Sequence, residues 1–218
     1  MGLSFTSSKA QLEAQPPPTH IILASQSLGR KLLLDKLGVR FRTAATRIDE
    51  DSIKGRSPLI TIKKRAQAKL DEIVNNPRVY LLDETANNLV VAADSMAIIG
   101  KKTFGKPKGR KEAKKMLDGL MGKTHTFTTA VAAAFIKESG RVTKKWFKTE
   151  ETKVSMRKMN KIEVETYINR YDFSRFAASY AINECPWDLI TKIDGSYTNV
   201  IGLPLEVVIP IFRSLELI

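Results

Sequence analysis

The stretch that most limits what this chain can fold into is NLVVAADSMAIIG, residues 88–100. It is near-continuously apolar, the pattern of a central strand covered on both faces rather than of a surface strand with one wet side. A chain built around such a strand needs elements packed on both sides of a sheet. Inside the run sits one carboxylate, Asp94, of a residue type depleted in strands and costly to bury without a partner. Gly100, Lys101, Lys102, Gly105 and Lys106 follow it. An acid at a strand end beside cations fits a metal or proton-transfer site; it equally fits a structural ion pair with Lys106.

The flanking segments alternate between the two periodicities. HIILAS (20–25) reads as a short apolar strand and SLGRKLLLDKLG (27–38) as a helix. Ser27 is placed to cap that helix, Gly38 to end it, and Leu32, Leu33, Leu34 and Leu37 form its apolar stripe. Arg30 lies in the first turn, where free N–H groups favour anions; with Ser25 just before it, strand, loop and helix make a phosphate-binding geometry. FRTAATRIDEDS reads as a loop carrying Asp49, Glu50 and Asp51. Residues 58–76 read as a helix with Ile62, Ala66, Leu70 and Ile73 on one side. Lys69 falls on or near that face, either snorkelling to solvent or serving as a phosphate ligand. A third amphipathic helix is expected over 109–122. Two alternating strands over 124–137 and 141–159 pair through the ESG turn, and a short helix starts at Asn160. The tail reads as a strand or loop, a Gly202–Pro204 turn and a last apolar segment. The sum is an α/β chain: an elongated mixed sheet with flanking helices, two lobes and a central cleft.

Composition narrows the function. Residues 1–19, Ser-rich and then QPPPT, read as a flexible leader, leaving 20–218 as a single domain. MGLSFT matches the myristoylation pattern, with Gly2 and Thr6 in place, although so short a pattern also arises by chance. No apolar run approaches the roughly 18 residues that span a bilayer. The lone Cys185 excludes an internal disulfide, suits a reducing cytoplasmic compartment and has no activating neighbour in sequence. His20 and His125 give little from which to build a zinc site, and His125 reads as structural. The formal charge of +13 asks for a polyanion: nucleic acid, an acidic membrane surface or a phosphorylated small molecule. Eight Lys or Arg between Lys101 and Lys115 support the first. Against it, those lysines share a helix with an apolar opposite face, and no aromatic ladder interleaves them.

Three separated stretches, LASQSLGRKLLL (23–34), AADSMAIIGKKTFGKPKGRKEAKKMLDGLMGKTHTFTTAVA (92–132) and GSYTNVIGLPLE (195–206), together resemble the Maf (septum-formation-like) family of nucleoside triphosphate pyrophosphatases. RIDED and KRAQAK fall where that family has its I-D-E and its lysine-bearing helix. The resemblance implies an inosine-triphosphate-pyrophosphatase-like fold with a nucleotide in the cleft. It implies hydrolysis of the α–β bond to monophosphate and pyrophosphate, aided by a divalent cation, Mg²⁺ or Mn²⁺. Asp94 becomes the proton acceptor or metal ligand, with Lys69 and Lys106 beside it, and Ser25 and Arg30 cradle phosphate. Glu50 and Asp49 are the acids linked to the metal. Such an enzyme would clear unwanted triphosphates from the nucleotide pool. A retired family member acting in division control is a third reading, against which the retained Asp94, Lys69, Lys106 and Arg30 argue. Homodimers are common in such folds, but no interface shows in the sequence.

The chain departs from the family pattern in three places. Where the family reads S-P-R-R, this sequence has Leu28 for proline and Gly29 for the first arginine. The helix start loses its proline pre-organisation, and one guanidinium is missing from the specificity region. Ser95 keeps a hydroxyl where threonine is usual, and Asn183 keeps an amide where the family has glutamine. An amide presents both donor and acceptor to a uracil or thymine edge, which tilts the expectation toward dTTP and UTP or modified forms of them.

Overall fold

The computed structural model describes residues 17–171, 176–184 and 188–218. The leader before residue 17, with its Gly2 pattern, and Cys185 lie outside them. In chain order the elements are β1 (Thr19–Ala24), α1 (Leu28–Lys36), β2 (Phe41–Thr43), α2 (Pro58–Asn75), β3 (Asn87–Ile99) and β4 (Lys102–Phe104). Then come α3 (Arg110–Leu120), β5 (Thr124–Ile136), β6 (Val142–Met156) and α4 (Lys161–Arg170). A single 3-10 turn (Ala177–Ser179), β7 (Ile190–Asp194), α5 (Tyr197–Ile201) and α6 (Leu205–Arg213) complete the described chain.

One mixed sheet runs β2-β1-β3-β5-β6-β7, with β4 folded back on β3. The first three strands are parallel and the rest antiparallel. The near-continuous apolar run is the central strand expected of it, since every residue of β3 from Asn87 to Asp94 is buried. On its first face α2 packs Ile62, Ala66, Leu70 and Ile73 against the sheet. On the other, Leu33 and Leu34 of α1 meet Val208, Ile211 and Phe212 of α6. A further core forms around Phe104, Met116, Leu117, Leu120 and Tyr167, between the extended ends of the sheet and helices α3 and α4. These are the two lobes.

The cleft between the lobes has a specific origin in the register. On one edge, β3 pairs with β5 without interruption from Asn88 to Ile98. On the other edge, β1 stops at Ala24 opposite Ala92, and β4 begins only at Phe104 opposite Ala97. Residues 93–96 therefore have strand on one side only. Asp94 is not at a strand end, as the sequence suggested. It lies mid-strand, at the gap left where β1 ends before β4 begins.

Local departures from expectation have plain causes. Ser27 occupies the N-cap of α1 but its side chain accepts no capping bond; its own N–H donates to Ser25 Oγ at 3.2 Å. Leu32 faces outward, narrowing the apolar stripe to Leu33, Leu34 and Leu37. The expected loop after residue 40 opens with the short strand β2, and in the C-terminal segment the expected strand or loop is the short helix α5, with the Gly202–Pro204 turn where it was expected and α6 after it. Ser196 caps the first of them by accepting from the Asn199 N–H at 3.0 Å, and Gly202 ends it in the left-handed region at φ +115°. By contrast, Asn160 caps α4 with the reciprocal Glu163 bonds that its sequence invites. Among the described residues no helix is long and apolar enough to cross a membrane.

Candidate active site

A cavity of about 690 Å³ opens over the gap in the sheet. Ser25, Arg30, Asp49, Glu50, Lys69, Asp94, Ser95, Lys106 and Asn183, drawn from segments far apart in sequence, all line it. No candidate residue falls elsewhere.

The floor is a three-charge cluster of the buried Lys69 and Asp94 with the half-exposed Glu50. Lys69, from the middle of α2, places Nζ 2.8 Å from Asp94 Oδ1 and 2.7 Å from Glu50 Oε2, with the Ala93 carbonyl at 3.4 Å. Its three protons are thereby all directed. Lys69 does not snorkel: its side chain is 7% exposed, and Asp94's is 8%. The ion-pair partner of Asp94 is therefore Lys69 and not Lys106, because α2 crosses β3 at the gap while the lysine loop stands on the far wall. Asp94 Oδ2 is buried with no hydrogen-bond partner among the described residues. Burial raises the Asp94 carboxyl above the ordinary aspartate value, against the opposing pull of Lys69 and Arg30. At Glu50 burial pushes the same way, but Lys69 outweighs it and the carboxyl ends lower than usual. One lysine between two acids thus leaves them unlike, the more buried one the weaker acid.

The second wall is Arg30. Its Nε donates to the Gly202 carbonyl at 2.8 Å, Nη1 to Ser25 Oγ at 3.0 Å and Nη2 to Ser95 Oγ at 2.9 Å. Ser95 Oγ lies 2.9 Å from Thr129 Oγ1, which reaches the Asn199 carbonyl at 3.3 Å. The donors form a one-way chain, Arg30 to Ser95 to Thr129 to Asn199. The Ser95 proton is spent inside the protein, so this hydroxyl holds Arg30 in place. Helix α5 brings the Gly202 carbonyl to the guanidinium. Thr129 and Asn199 went unnoticed in the sequence. The available signal was a fully buried threonine in a strand of small apolar residues and an asparagine inside an apolar segment.

The same contact explains the departure at Gly29. A Cβ there would stand 2.8 Å from the Ile201 carbonyl oxygen and 2.9 Å from Ile201 Cγ2. The start of α1 and the end of α5 touch at this glycine, which leaves no room for an arginine without a backbone shift.

Lys106 faces the cavity from the G-K-P loop and makes no ion pair among the described residues. Partial burial and the nearby Arg30 lower its ammonium from the usual value. At the rim, Lys108 pairs with Asp51 at 3.1 Å, and Asp49 Oδ1 accepts the Asp51 N–H at 3.1 Å. His125 is buried against Tyr180, Nε2 to hydroxyl at 2.8 Å, and desolvation lowers it to about 4, so it is neutral at physiological pH and serves structure, as expected. Of the eight cations between Lys101 and Lys115, Lys108, Arg110 and Lys114 already have acidic partners.

Among the described residues no group of three or more His, Cys, Asp or Glu is arranged to hold a metal. Two carboxylates with one free, buried oxygen still fit a hard cation of the Mg²⁺ type. Such ions are commonly held by one or two protein carboxylates, with substrate phosphates and water supplying the rest.

Comparison with known proteins agrees with this geometry. A family model described as Maf-like protein matches residues 20–215. A dTTP/UTP pyrophosphatase of Agathobacter rectalis is 34% identical over 86% of this chain and 93% of its own length. One of Treponema denticola is 32% identical over 90% and 97%. A nucleoside triphosphate pyrophosphatase of Trichodesmium erythraeum is 31% identical over 88% and 91%. Among solved structures, a dITP/XTP pyrophosphatase from Mycobacterium abscessus overlaps 64% of this chain and 75% of its own at 14% identity, with a TM-score of 0.36.

Proposed function

The chain belongs to the Maf-like protein family, and from that premise we propose that it is a nucleoside triphosphate pyrophosphatase acting on pyrimidine triphosphates. The observation that carries this is the pairing, in one cavity, of a buried carboxylate with a free oxygen and a set of cations at phosphate-binding positions. A triphosphate carries about four negative charges near neutral pH, and its hydrolysis depends on neutralising them, exposing the α-phosphorus in line and activating a water.

The chain's residues divide that work. Arg30, fixed by three hydrogen bonds, and Lys106, without an ion pair, take the phosphates. Ser25 orients Arg30 at the strand–helix junction. Lys69 donates to Asp94 Oδ1, which leaves Oδ2 as proton acceptor for the attacking water. A base with a raised pKa takes that proton more readily than an ordinary aspartate. Glu50 would hold a divalent cation, with Asp49 a further acid at the rim. When bound, such an ion supplies charge neutralisation at the phosphates and a more acidic water. The pyrimidine preference rests on the Asn183 amide at the cavity wall and on the relatives that are dTTP/UTP pyrophosphatases by name.

The test is incubation with a panel of canonical and modified triphosphates in Mg²⁺ or Mn²⁺, with products separated by chromatography. The expected result is monophosphate plus pyrophosphate, fastest from dTTP and UTP, with Asp94→Asn slower by about 10²–10⁴-fold. Turnover of no triphosphate would contradict the assignment.

A further inference from the structure

Strand β6 is 15 residues long, yet β7 covers only Lys153 to Met156. Among the described residues no strand pairs with the outer edge of residues 142–152. An uncovered row of backbone donors and acceptors is a template for another strand. Phe147, 39% exposed, stands in the middle of it.

The inner pairing with β5 runs without a shift from Lys144 to Ser155, so side chains alternate strictly along this stretch. Lys144, Trp146, Lys148 and Glu150 share one face; Lys145, Phe147, Thr149 and Glu151 share the other. Two copies of this edge, paired antiparallel about a two-fold axis, must be centred on a residue, because opposed residues point to the same face. Centring on Lys144, Lys145 or Lys148 sets a lysine against itself. Centring on Trp146 opposes Lys144 to Lys148, and centring on Thr149 runs Lys145 of the second copy into β7, which already pairs from Lys153. Centred on Phe147, Lys144 faces Glu150, Lys145 faces Thr149, Trp146 faces Lys148 and Phe147 faces its own copy. Every lysine then meets an acid, a hydroxyl or an aromatic ring.

We propose that residues 144–150 of β6 pair with the same edge of a second copy of this chain, two-fold related at Phe147. The result is one continuous sheet through a homodimer. The surroundings of Glu150 suit this. Burial, Glu206 and Glu151 all raise its carboxyl, so the spot gains from a cation, and Lys144 of the second copy supplies one. The lysines exclude the registers centred from Lys144 to Trp146 and β7 blocks those centred beyond Phe147, so the edge selects its own copy instead of pairing without discrimination. The inference is independent of the catalytic assignment.

Sedimentation velocity on the full chain tests it. The wild-type protein sediments as a dimer at micromolar concentrations. Glu150→Lys and, separately, Lys144→Glu each weaken dimerisation by about tenfold or more, since symmetry places each like-charge contact twice. The double exchange Lys144→Glu with Glu150→Lys restores the wild-type constant. Circular dichroism melts establish that the variants are folded. A monomeric wild type, a single variant that dimerises unchanged, or a double exchange that fails to restore association would each overturn the proposal.

Discussion

Two charge clusters in this molecule are mirror images in composition and opposites in consequence. In the cleft, Lys69 lies between Glu50 and Asp94; on the outer face of the second lobe, Glu165 lies between Arg110 and Lys114. Lys69 and Asp94 are almost fully withdrawn from water with only Glu50 left 44% exposed beside them, whereas Arg110, Lys114 and Glu165 are all 44% exposed or more. The outer pairs hold Glu165 below its usual value through ordinary hydrogen bonds and screened attraction. In the cleft the same ingredients push Asp94 up, because desolvation outweighs the cation beside it. The lesson is that ion pairing does not by itself make a site. What matters is removal from water together with an oxygen left without a partner.

That contrast can be broken from the inside. Lys69→Met leaves two carboxylates facing each other in the cleft and should cost about 3–5 kcal/mol in urea unfolding. It also removes the main group opposing desolvation at Asp94. The acid limb of the pH–activity profile should therefore move to higher pH in whatever activity remains, because Asp94 accepts a proton only when ionised. Stability within 1 kcal/mol of wild type would mean that the cluster is solvated, and the contrast would fail.

A smaller effect is expected one step away from the charges. Ser95→Ala removes one of the three bonds that fix Arg30 and breaks the chain to Thr129. Activity at limiting substrate should fall about tenfold, mostly through KM, and Ser95→Thr should recover it. Loss confined to kcat would instead place Ser95 in the chemical step. The smallest effect belongs to the outer cluster. Glu165→Gln should shift Tm by no more than about 2–3 °C and leave turnover unchanged. A larger shift would bring the two clusters closer together than their exposure suggests.

The sequence exposed much of this, and its gaps have physical reasons. Strong periodicity made β3, α2, α3, β5 and β6 legible, because each buries a whole face. The short elements β2, β7 and α5 were not, since three to five residues carry too little pattern to separate strand, helix and turn. The candidate residues were legible through their motifs, and all of them line one cavity. What remained hidden was who pairs with whom. The sequence offers Lys106 as the ion-pair partner of Asp94, and only the crossing of α2 over the gap in β3 puts Lys69 there instead. Gly29 read as a lost arginine, whereas its contact with Ile201 is a long-range event to which no local spacing points.

The central claim is that a water activated at Asp94 attacks the α-phosphorus of a bound triphosphate. Hydrolysis of dTTP in ¹⁸O-labelled water, with mass analysis of both products, tests it most directly. The account predicts the label in the monophosphate and unlabelled pyrophosphate. Label in pyrophosphate, or release of labelled orthophosphate, would place the attack at another phosphorus and contradict it.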